Sequence, residues 1–110
     1  MGAIKPREYP VKTLYLAHLF RALANPMRLE IIQFILDHGA VRNVDIIREF
    51  HIAKSTCKEH LSFMLDAALI EIEYKQHCYL VRIRPDAYQN LLSAFDLLHI
   101  ERKRYLAFPS

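Results

Sequence analysis

The chain has 110 residues, 53% of them hydrophobic and 25% charged, with fifteen Lys and Arg against twelve Asp and Glu. That is one globular domain's worth of core, a size that argues against an elaborate enzyme and a composition that argues against wholesale disorder. A formal net charge of +3 permits a polyanionic partner without requiring one.

Two cysteines, Cys57 and Cys78, are too few for a disulfide scaffold. No run of about 18 apolar residues is free of charge, so no membrane span is expected. The opening MGAIKPREYPVK has no apolar core of signal-peptide length, and Pro6 stands where a myristoylation signal needs Ser or Thr. On this reading the protein is cytoplasmic and has no membrane partner.

Residues 1 to 10 read as a flexible basic arm within a single domain of residues 1 to 110. Residues 1 to 28 hold five basic residues and one acidic one. Lys5, Arg7 and Lys12 suit either a phosphate-tracking arm or a solvated tail.

From Val11 to Ala24, Leu14, Leu16, Leu19, Phe20 and Leu23 recur at a helical period. Asn25-Pro26 interrupts it and suits the first turn of a second helix. That helix carries Leu29, Ile32, Ile35 and Leu36 on one stripe and stops at Gly39. Asn43 is the expected N-cap of a third, short helix with Val44, Ile47 and Phe50 inward. After the turn HIAK, a fourth helix runs from about Ser55 to Ala67, with a candidate capping box over Thr56 to Glu59.

After Leu69 the period changes to two. IEIEY, a KQH turn and CYLVRIR make a β-hairpin ending before Pro85. Asp86 then caps a last helix over residues 86 to 106, with Tyr88, Leu91, Leu92, Phe95, Leu98 and Tyr105 on a stripe. The order α-α-α-α-β-β-α is mainly α with a hairpin wing: a winged helix-turn-helix.

On the fourth helix, Cys57, Leu61, Met64 and Leu65 fall on one side and are expected in the core. The other side presents Ser55, Glu59 and Ser62 flanked by Lys58, with Lys54 and Thr56 at the first turn. Such a face suits a major groove: hydroxyls and helix N-terminal amides hold phosphates, and Lys and Glu read base edges. The pattern alone fits the solvated side of an amphipathic helix equally well.

The segments LFRALANPMRLEIIQFIL (residues 19–36) and STCKEHLSFMLDAALI (residues 55–70) resemble ArsR/SmtB-type winged-helix repressors. The resemblance spans residues 16 to 83 and is most specific at Ala24 to Arg28 and at His60-Leu61. It implies a homodimeric regulator, probing double-stranded DNA with its fourth helix and dimerising through its first and last helices. Carried onto this chain, the DNA-contacting set is Lys54, Ser55, Thr56, Lys58, Glu59, His60 and Ser62, with Lys75 and His77 on the wing. The dimer set is Leu14, Leu16, Leu19, Leu91, Leu92, Phe95 and Leu98.

Three departures from the family matter. Ala68 stands where the family has a glycine of positive φ, Gln76 stands at the wing tip in place of Gly, and Lys58-Glu59 replaces the usual pair in the recognition helix. The metal-sensing cysteine pair of the third helix is absent from Arg42 to Ile46. The last-helix metal pattern reads Asp86, Tyr88, His99 and Arg102, two ligands of four, and zinc takes at least three protein ligands. Cys57, His60, His77 and Cys78 have a loosely zinc-like spacing, but His77 and Cys78 alternate faces on a strand. Neither a metal site nor a cofactor is expected, and the effector is undetermined. No nucleophile-base-acid set, glycine-rich phosphate loop or HExxH points to catalysis. The alternative to an operator-binding regulator is a winged-helix module that binds protein.

Overall fold

In a computed structural model, residues 7–97 are described, the side chains of 94–97 excepted. Helices α1 (Val11–Leu23), α2 (Pro26–His38), α3 (Asn43–Phe50), α4 (Lys54–Asp66) and α5 (Ala87–Leu97) pack with strands β1 (Ala40–Arg42), β2 (Ile70–Tyr74) and β3 (Tyr79–Ile83). The expected order holds for the five helices and the hairpin, and one strand is added to it. Ala40–Arg42 pairs antiparallel with β3, making a sheet of order β1-β3-β2 in which Val81 lies between Val41 and Ile72.

Local chemistry sets the helix ends. Asn25 sits in extended backbone, its Oδ1 accepts the Arg28 N–H at 3.1 Å, and Pro26 opens α2. Gly39, at φ +82°, ends α2 with its N–H on the Ile35 carbonyl at 2.8 Å. That sign of φ turns the chain out of the helix and into β1.

At α3 the N-cap is Arg42 and not Asn43. Asp45 reaches back to accept the Arg42 backbone N–H at 3.1 Å and the Nε–H and an Nη2–H of its guanidinium. The Arg42 hydrogen bond holds the Asp45 carboxyl below its usual range, against the pull of burial. Asn43 is instead buried, and its Oδ1 accepts the Tyr79 N–H at 3.2 Å, fastening α3 to the sheet. The capping box expected at Thr56 does not form, because α4 begins earlier, after Ala53, with no side-chain cap.

The core joins Leu19 of α1, Ile31 and Ile35 of α2, Ile46 of α3, Cys57 and Met64 of α4, and Ile70 and Val81 of the sheet, none more than 1% exposed. Burial pushes the Cys57 thiol up, away from the reactive thiolate. Both cysteines are free, so the domain is held by packing and hydrogen bonds.

Several stripes are rotated relative to the sequence expectation. The inward residues of α2 are Arg28, Ile31 and Ile35, whereas Leu29 and Leu36 are exposed and Ile32 half-buried. On α3 the fully buried residue is Ile46, with Val44, Ile47 and Phe50 half-buried. Leu65 of α4 is 44% exposed and Tyr88 of α5 is 68% exposed. Each helix carries more apolar residues than its inward arc can cover, so neighbouring elements decide which are buried. Leu23, Ile32, Leu36, Leu69, Ile83 and Leu91 surround an apolar hollow of about 190 Å³ between α2 and α5.

Candidate nucleic-acid interface

The turn between α3 and α4 runs from left-handed His51 through Ile52 to extended Ala53. His51, at φ +51°, ends α3, and the Ile52 N–H reaches the Ile47 carbonyl at 3.3 Å. This closes the helix-turn-helix without a glycine. At the other end of α4, Ala68 takes φ +56°, as the departure from the family's glycine anticipates. The Ala68 and Leu69 N–H groups bond the Leu65 and Met64 carbonyls, each at 3.0 Å. That paired pattern is a Schellman motif, normally a glycine's place.

Between these turns, α4 sorts its residues as the reading expects, Leu65 and His60 excepted. Cys57, Leu61 and Met64 are buried, while Lys54, Ser55, Lys58, Glu59 and Ser62 are exposed and Thr56 is half-buried. The face is not uniform. Lys54, Lys58 and Ser62, at four-residue spacing, line a groove of about 320 Å³ between α4 and the hairpin. Ser55 and Glu59 stand one position around the helix and are not among the groove's lining residues. Ser62 Oγ donates to the Lys58 carbonyl at 2.9 Å, so its hydrogen is already committed.

Lys54 and Lys58 enter no ion pair among the described residues. The wing lysine differs. Lys75 Nζ lies 2.8 Å from Glu73, which also accepts from Arg82 at 3.1 Å. The Lys75 hydrogen bond, then its charge and that of Arg82, hold the Glu73 carboxyl below its usual range. Lys75 thus shares the Glu73 carboxylate of β2 with Arg82 of β3. His77 is exposed in the wing loop, where the Lys75 N–H closes the turn on the Cys78 carbonyl at 2.8 Å.

His60 departs most from the expected DNA-contacting set. It is half-buried and faces α2, with Nδ1 3.3 Å from Arg28 Nη1. Burial, and then the Arg28 charge, push the imidazole below its ordinary value, while Glu59 pulls weakly the other way. A neutral ring with its proton on Nε2 accepts from Arg28. Sequence reading did not single out Arg28 for this role. Its guanidinium donates to the Ala22 carbonyl at 2.9 Å and the Arg21 carbonyl at 2.7 Å, and lies 4.3 Å from the Phe63 ring centre. It therefore caps the last turn of α1 while gripping α4. The signal was present, since the two most specific pieces of the family resemblance contain Arg28 and His60, and here they touch.

Tyr74 and Tyr79 were also missed. They pair across the hairpin with ring centres 5.9 Å apart and line the same groove as Lys54 and Lys58. Tyr74 is 77% exposed, and burial pushes the Tyr79 phenol up.

Of the residues expected to dimerise, Leu16 and Leu19 are consumed by the protomer's own core, at 6% and 0% exposure. Leu14 and Leu92 are exposed and Leu91 is half-buried. The Phe95 side chain and Leu98 lie outside the described residues, as do His99, Arg102, Tyr105, Lys5 and most of the arm. The Asp86 carboxylate is held by Arg84 through two contacts of 2.9 Å, and the Asp86 carbonyl accepts the Asn90 N–H. Among the described residues, no group of three His, Cys, Asp or Glu is placed to hold a metal, and no helix is long and apolar enough to cross a membrane.

No protein-family model and no curated protein matches the chain. Solved structures do. An ArsR family transcriptional regulator superposes with a TM-score of 0.71 at 15% identity, over 88% of this chain and 96% of the other. The transcriptional repressor PagR of Bacillus anthracis gives 0.57 at 24% identity, over 74% and 94%. The transcriptional repressor BigR from Xylella fastidiosa gives 0.59 at 15% identity, over 83% and 92%. Likeness at such identities is a statement about architecture. The chain has the winged helix-turn-helix fold of ArsR-type regulators, the group its sequence resembles.

Proposed function

We propose that the protein is a DNA-binding transcriptional regulator, a repressor that binds an inverted-repeat operator as a homodimer. The observation that carries this reading is the pair Lys54 and Lys58. Both are exposed on α4, one turn apart, without ion-pair partners among the described residues, and beside the wing. One sugar-phosphate strand running between α4 and the hairpin meets both ammonium groups and the N–H groups of an α4 N-terminus that no side chain caps. Glu59, on the adjacent row, then faces base edges and accepts from a cytosine amino group. Ser55 and Thr56 supply hydroxyls at the first turn, and His77 approaches phosphate from the wing.

Dimerisation through the terminal helices is supported by Leu14, Phe20 and Leu92, each at least 40% exposed. Single exposed leucines need no partner, but apolar side chains gathered on terminal helices favour one. A two-fold axis sets two recognition helices against a palindrome. No metal, cofactor or catalytic activity belongs to this reading, and the cell's cytoplasm is where such a protein acts.

One observation favours a second reading, a module that docks on protein. The wing's Lys75 and Arg82 are both engaged by Glu73, and Glu59 is exposed beside Lys58. Selection of bound duplexes from a random pool, repeated across salt concentrations, separates the two. An enriched inverted repeat supports the regulator, and no enrichment at any salt supports the module.

A further inference from the structure

The groove between α4 and the wing has a lining that phosphate binding does not require. Its rim is cationic, with Lys54 and Lys58, but its walls and floor are Leu65, Ile72, Tyr74 and Tyr79. At about 320 Å³ it falls in the range of small-molecule sites, which are mostly apolar with a few placed polar groups. Leu65 and Tyr74 are 44% and 77% exposed, a cost in water that an apolar occupant relieves. The phosphate groups themselves have no apolar body to offer this floor.

We propose that the groove binds a small amphipathic anion, a carboxylate on an aliphatic or aryl body, and that this occupant excludes DNA. The carboxylate lies between the Lys54 and Lys58 ammonium groups, and the body rests on Leu65, Ile72 and the tyrosine rings. Charge selects the head group, because two ammonium ions without ion-pair partners among the described residues favour an anion over a neutral polar group. The part of the proposal concerning exclusion rests on the DNA reading, since the same two lysines are assigned to phosphates there. Release from DNA then follows from direct competition, with no second conformation needed. By linkage, DNA weakens the anion's binding by the same factor.

The test uses the full chain with octanoate as probe and 1-octanol as its neutral match, followed by amide chemical shifts without DNA. Saturable octanoate shifts confined to α4 and the hairpin are expected, with octanol at least about tenfold weaker. Lys54→Gln/Lys58→Gln is expected to weaken octanoate about tenfold and to leave octanol unchanged. Leu65→Ser, at an exposed position where folding is not at stake, is expected to weaken both. Equal affinity for octanoate and octanol, shifts centred on the α2–α5 hollow, or no saturable shifts would each overturn the proposal. Bound DNA is then titrated with octanoate. Displacement supports the exclusion, and undisturbed DNA at saturating octanoate overturns it. Because the first measurement contains no DNA, failure of the DNA reading leaves its outcome intact and distinguishable.

Discussion

Arg28 Nη1 reaches His60 Nδ1 at 3.3 Å across 32 residues of sequence, and through Arg28 the end of α1 is tied to α4. The same guanidinium holds the Arg21 and Ala22 carbonyls and lies over Phe63. One buried cation of α2 thus joins α1 and α4.

Arg28→Ala strands the Ala22 carbonyl and the His60 Nδ1, leaves the Arg21 carbonyl with the Ala24 N–H alone, and empties a buried site. We expect a loss of about 2–4 kcal/mol, from unmet acceptors plus lost packing. Arg28→Lys keeps the charge but loses the planar fork, and is expected to lie between wild type and Arg28→Ala. Urea unfolding midpoints check this order. Equal stability of all three proteins contradicts it.

The His60 contact also gives a pH dependence. The imidazole's folded-state pKa is lowered, by burial first and by the Arg28 charge second. The unfolded chain therefore takes up a proton before the folded one does as pH falls. The stabilisation is complete above the ordinary histidine value near 6.5 and is lost as pH drops from there toward the folded pKa. Melting temperature is expected to fall across that window in wild type and to fall less in His60→Gln. Parallel pH profiles for the two proteins rule out this origin.

Two turns share a positive φ, one at a glycine and one at an alanine. Gly39 at φ +82° has nothing within 4 Å of an added Cβ, so Gly39→Ala meets conformational strain alone, expected at about 1–3 kcal/mol. Ala68 already bears such strain at φ +56°. Ala68→Gly relieves it at some cost in unfolded-state entropy, for an expected net gain of about 0.5–1 kcal/mol. Thermal unfolding reads both, and effects of the same sign contradict the assignment.

These residues also show where the fold was legible. Gly39, Pro26 and the two-residue period from Ile70 mark element ends and type by backbone chemistry alone, and they hold. Ala68 was readable only through the family resemblance, which has a glycine of positive φ at this helix exit. β1 escaped because three residues, one of them inward, are too few to establish a period. The rotated stripes at Leu29, Leu36 and Leu65 escaped because periodicity gives a helix's apolar side but not which members a neighbour covers. Arg28 escaped for a further reason: a charged side chain is buried only when carbonyls from another element converge on it, and that convergence is tertiary. The candidate site was half legible. The exposed face of α4 was read correctly, but its division into a lysine row beside the wing and a Glu59 row depends on where the hairpin lies.

The claim on which the account turns is that Lys54 and Lys58 hold DNA phosphates. Its most direct test is the salt dependence of DNA affinity, wild type against Lys54→Ala/Lys58→Ala. Each lost phosphate contact lowers the slope of log K against log salt by about 0.9 on duplex DNA, so the double variant is expected to lose about 1.8 per protomer. An unchanged slope, with the variant folded, contradicts the account.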